Sequence, residues 1–128
     1  FAKAGFHYKR CADILGDNDK DGICHQKTGF AFWNNWFGNT DNYTAQKYFK
    51  KAFQLGGDGS FEMSIIMSME GNEAASLMWI NICAAYRPSC KDARNESFAK
   101  VSQFEIRKAQ KMSNVCIDSN FENCSWSF

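Results

Sequence analysis

The chain has 128 residues, enough to bury a core of its own, and 16% of them are aromatic, with twelve phenylalanines. Fifteen basic and fourteen acidic residues leave a net charge of +1, which removes the electrostatic case for nucleic acid or an anionic membrane surface as partner. No apolar run approaches the roughly 20 residues a membrane-spanning helix needs, and the opening at Phe1 without Met suits a processed form.

The first distinctive segment is Asp17-Asn18-Asp19-Lys20-Asp21-Gly22. Three carboxylates at alternate positions, closed by a glycine, present hard oxygen ligands of the kind Ca²⁺ takes. In that reading Asp17, Asp19 and Asp21 coordinate through side chains and Ile23 adds a backbone carbonyl. His25 or Thr28 acts through water. The competing reading is a solvated acidic turn, because Asp, Asn and Gly are also what a turn selects.

Residues 30–37 are aromatic on nearly every side and predict a short helix buried in the core. Phe30, Trp33, Trp36 and Phe37 are also the candidates for a partner-binding face or for the lining of an apolar pocket. Residues 45–55 predict a helix, with Tyr48, Phe49, Ala52 and Phe53 at three- and four-residue spacing. Lys47, Lys50 and Lys51 form its solvated face.

Residues 72–86 give the clearest helix. Asn72 is placed to cap it, and Ala75, Met78, Trp79, Ile82, Cys83 and Tyr86 form one apolar stripe. Residues 97–113 predict another helix, rich in Ala, Lys, Gln, Arg and Met, with a moderate stripe through Phe98, Val101 and Phe104. The tail from residue 116 reads as irregular and pinned by its two cysteines. Pro88 is the single proline, so little in the chain interrupts helices.

Six cysteines, Cys11, Cys24, Cys83, Cys90, Cys116 and Cys124, contain no C-x-x-C spacing and read as three disulfides in an oxidising compartment. Fifteen pairings are open. Sequons at Asn42, Asn95 and Asn123 point to the same compartment. His7 and His25, the two histidines, read as surface residues. No ribonuclease-like motif surrounds them, no Gly-x-Ser-x-Gly elbow is present, and His25 is followed by Gln26, not by the Asp of a phospholipase dyad.

The acidic run resembles the start of an EF-hand loop, in which positions one, three and five coordinate and position six is a glycine. A step of 37 residues supports the resemblance. It carries Asp21 to Asp58 to Asn95, Gly22 to Gly59, and Phe30 to Met67 to Phe104. The twelfth position is Thr28, where the family has a bidentate Glu, so the resemblance implies a weak calcium site of about 10⁻⁴–10⁻³ M. The second and third units have Gln54 and Lys91 at position one and imply no site.

The expectation is therefore one mainly α, compact, disulfide-stabilised domain over residues 1–128, with helix–loop–helix units that resemble degenerate EF-hands. The expected function is that of a secreted, non-enzymatic binding protein with an extracellular protein partner: a ligand, effector, toxin or assembly subunit. The alternatives are an extracellular calcium-binding protein with one structural ion, and a carrier of a small apolar ligand.

Overall fold

A computed structural model describes all 128 residues. It is all-helical, with α1 (Ala2–Leu15), α2 (Ile23–Trp33), α3 (Asn42–Gln54), α4 (Ser60–Met69), α5 (Glu73–Tyr86), α6 (Lys91–Phe98) and α7 (Gln103–Asp118). No strand is present, and no helix is long and apolar enough to cross a membrane. The chain divides into two compact units, Phe1–Gly59 with Trp126–Phe128, and Ser60–Ser125. The cysteines pair as Cys11–Cys24, Cys83–Cys90 and Cys116–Cys124, each pair closing within one unit. Loops this short are worth about 2–3 kcal/mol each in a chain-entropy account.

In the first unit α2 packs against both α1 and α3. α3 begins at Asn42, three residues before the sequence reading, because Asp41 caps it. One Asp41 oxygen accepts from the Thr44 backbone N–H at 2.9 Å and the other from the Thr44 hydroxyl at 2.7 Å. Those bonds hold the Asp41 carboxyl below the usual range. Phe49, Ala52 and Phe53 are buried as the spacing predicts. Phe49 is the keystone of this unit. Its ring lies so close to Gly29 of α2 and to Gly59 that an added Cβ would stand 2.7 and 2.3 Å from it.

In the second unit α5 is the central rod, packed by α4, α6 and α7. Asn72 caps it, its side-chain oxygen accepting from the Ala75 N–H at 3.1 Å. The single stripe expected for α5 is too narrow. Leu77, Ile80 and Ala84 are buried as well, which is what a helix with neighbours on several sides requires, and Tyr86 is exposed. Two polar latches fix the neighbours. Ser64 and Ser76 each donate to the other's carbonyl at 2.9 Å across α4 and α5. Asn81 donates to the Ser113 hydroxyl at 3.0 Å across α5 and α7.

The helix expected over residues 97–113 is broken. α6 ends at Phe98, and Ser102 caps a new helix by accepting from the Glu105 N–H at 3.2 Å. Ser102-Gln103-Phe104-Glu105 is a capping-box sequence, a stop-and-start signal that the helix-forming composition around it obscured. α7 then runs to Asp118, beyond the point where an irregular tail was expected.

A helix-interior Gly→Ala change ordinarily stabilises by roughly 0.5–1 kcal/mol. Gly29→Ala should reverse that sign and cost about 1–3 kcal/mol, because its methyl group meets the Phe49 ring. Urea unfolding of Gly29→Ala against the parent protein measures it, and pairing it with Phe49→Leu, which shortens the opposing ring, should recover part of the loss.

Candidate functional site

The acidic run does not form a loop of converging carboxylates. Asp21 and Gly22 both take left-handed backbone conformations, with φ of 59° and 65°. That double turn folds Asp19 back over the first turn of α2. Gly22 immediately precedes the helix and has no side chain with which to cap it. Asp19 does so from three residues further back, accepting from the Cys24 N–H at 3.1 Å and the His25 N–H at 2.9 Å. Gly22 is also required for packing, since a Cβ there would lie 2.6 Å from the Ala52 carbonyl oxygen of α3.

The second partner of Asp19 is His25, whose Nδ1 lies 2.7 Å from Oδ2. Both residues are buried, and the surface position expected for His25 is corrected accordingly; His7 is exposed. Burial alone would raise the Asp19 carboxyl. The hydrogen bonds from the His25 backbone and ring and from Cys24 outweigh it and hold the group below the usual carboxylate range.

The His25 ring stands 6.0 Å from that of Tyr48. The Tyr48 hydroxyl donates to Asp13 at 2.7 Å, and Lys9 donates to the same carboxylate at 2.7 Å. Burial, together with the bond to Asp13, pushes the Tyr48 phenol well above its ordinary range. The network runs from α1 through α3 to the start of α2, and the Cys11–Cys24 disulfide joins α1 to α2 beside it.

The four expected calcium ligands are placed as follows. Asp17 is exposed and ion-paired with Lys51 of α3, Asp19 faces inward as the helix cap, Asp21 is exposed, and Ile23 is the first residue of α2. Thr28 is buried and donates to the Cys24 carbonyl at 2.6 Å within the helix. One close cluster of ligand-type atoms involves this segment, Cys11, Asp19 and Cys24, but its two sulfurs are bonded to each other. With both Asp19 oxygens occupied by donors and Asp17 held by a lysine, these residues do not fit a calcium cage.

The aromatic segment is brought together, though not as a core helix. α2 ends at Trp33, and Asn35, at φ 65°, turns the chain so that Trp36 and Phe37 fold back. Phe30 meets Trp33 at 5.5 Å and Trp36 at 5.6 Å between ring centres, and Phe32 meets Phe37 at 4.5 Å. The sequence reading missed that α1 extends this cluster. Phe1 stacks on Trp36 at 5.3 Å, and Phe6 meets Phe37 edge-on at 5.0 Å. Gly5 leaves room for the Phe37 ring, which would stand 3.1 Å from a Cβ there. The segment itself is half-buried, whereas Phe1 and Phe6 are 89% and 61% exposed. No periodic pattern in α1 marks these contacts, because the residues that make them, Phe1, Gly5 and Phe6, do not form an apolar stripe.

Of the three sequons, Asn95 and Asn123 are exposed, while Asn42 is half-buried with its side-chain oxygen unpartnered. No protein-family model, curated protein or solved structure matches the chain.

Asp19→Ala removes the cap and leaves buried donors unsatisfied, and should cost about 3 kcal/mol. Melting in EDTA and in millimolar Ca²⁺ should show the same loss in both, with no calcium-dependent rise in the parent protein. The pH dependence has a definite sign. A carboxyl held low in the folded state contributes stability above its ordinary value, near 4, and loses it as pH falls through the folded value. Acid unfolding should therefore be less steep in Asp19→Asn than in the parent.

Proposed function

We propose that the chain is a secreted, non-enzymatic binding protein that acts by protein–protein contact through the aromatic face built from α1 and the end of α2. The observation that carries this reading is the pair of ring contacts Phe1–Trp36 and Phe6–Phe37, in which two largely exposed phenylalanines are held on half-buried aromatic partners. Rigid aromatic anchors with one side open lose little freedom on binding, and residues of this type dominate interface energetics. Three disulfides and the lack of a spanning helix are compatible with an extracellular location.

The Asp19–His25 pair is read here as structural. Its carboxylate is occupied by the helix start and its imidazole is buried, so it has the partners of a cap and not those of a base waiting for substrate. The calcium reading is not favoured, for the reasons of ligand placement given above.

The test is binding of labelled protein to intact cells, comparing the parent with Phe6→Ser and Trp36→Ser. The parent should bind saturably. Each variant should bind at least tenfold more weakly, as expected for an anchor worth more than 1.4 kcal/mol. Circular dichroism should remain that of the parent for Phe6→Ser, whose ring is mostly outside the fold. Saturable binding that survives both substitutions would overturn the assignment of this face.

A further inference from the structure

A second site lies wholly within the other unit and does not depend on the aromatic face. A cavity of about 280 Å³ is lined by Met78 of α5, by Lys108, Lys111, Met112 and Val115 of α7, and by residues 123–125. The four α7 residues fall at spacings of three and four, so they form one strip of the helix. Met78 is fully buried beneath them and supplies an apolar floor.

The opposite wall is fixed by two ties. The Cys116–Cys124 disulfide binds it to α7, and the Trp79 indole N–H donates to the Ser125 carbonyl at 3.4 Å. The wall is thus held in place before any ligand arrives, which lowers the ordering cost of binding.

The charge of the cavity identifies its ligand class. Lys108 and Lys111 are exposed at the lining, and neither is ion-paired with a carboxylate of the chain. Two free cations beside an apolar floor of two methionines and a valine complement an anionic head on a short hydrocarbon chain. The volume is ample for such a chain, since an apolar cavity of about 150 Å³ already accepts benzene. Methionine side chains adapt to a flexible aliphatic ligand.

We infer that this cavity binds a single-chain amphiphile with an anionic head group, a carboxylate or a phosphate monoester, its tail on Met78, Met112 and Val115 and its head at Lys108 and Lys111.

The experiment titrates the intact, oxidised protein with octanoate, octyl phosphate and 1-octanol, following backbone amide and methionine methyl NMR signals. Both anions should bind saturably, with the largest shifts at Met78, Met112 and Val115. Octanol should bind roughly three- to tenfold more weakly, the scale expected for two solvent-exposed charge contacts. The relative affinity of octanoate and octyl phosphate decides between carboxylate and phosphate as the natural head group.

Lys108→Glu/Lys111→Glu should bring the anions down to the affinity of octanol or below, while leaving octanol binding unchanged. Val115→Trp fills the cavity from its half-exposed edge and should abolish binding of all three at an unchanged melting temperature. Equal binding of the three probes, shifts centred away from these residues, or no saturation by the anions would each overturn the inference.

Discussion

The start of α2 is the constraint on which the first unit depends. A helix beginning on a glycine in a left-handed conformation has no local cap, and its first N–H groups must find acceptors elsewhere. Asp19 supplies both oxygens from across a double left-handed turn, and three consequences follow. Gly22 is brought against the Ala52 carbonyl of α3, Cys24 is held within reach of Cys11, and His25 is turned inward toward Tyr48. With α2 fixed in this way, Gly29 faces the Phe49 ring and the end of the helix delivers Phe30 and Trp33 to the aromatic cluster. One buried carboxylate therefore sets both the packing of the unit and the placing of its aromatic cluster.

The same carboxylate shows where sequence reading stopped. Helices were legible wherever local chemistry and global packing agree. Asn72 caps α5 as its position before an apolar stripe suggests, and Phe49, Ala52 and Phe53 are buried at the expected spacing. The acidic run was ambiguous because a cation cage and a helix cap both use short oxygen-bearing residues beside a glycine. What separates them is the side of the turn on which Asp19 lies, and that depends on backbone angles at Asp21 and Gly22 that composition does not encode. The bond to His25 spans six residues, which is neither a helical nor a strand period, so no pattern search reveals it. Around Ser102 the failure had a different cause. Strong helix formers on both sides suggested continuity, while the capping-box residues that mark the break were present and carried less weight.

The two units present chemically different surfaces. The first offers aromatic rings in mutual contact, Phe1 and Phe6 largely exposed over half-buried Trp36 and Phe37, which suits contact with another protein surface. The second offers an apolar floor with two unpaired lysines, which suits a small amphiphilic anion. The disulfides fit this division. Cys11–Cys24 stabilises the helix start that positions the aromatic cluster, and Cys116–Cys124 holds the wall of the cavity. Neither surface draws on the Asp19–His25 pair directly. Its contribution is to hold α2 in place.

The most direct test of this account is carbon-detected NMR titration of the aspartate side-chain carboxyls, with and without millimolar Ca²⁺. The account predicts that Asp19 titrates below the ordinary carboxylate range and that calcium leaves its signal unmoved. An Asp19 carboxyl that titrates at the ordinary value and shifts together with Asp17 and Asp21 on addition of calcium would contradict it, and would make the acidic run a cation site.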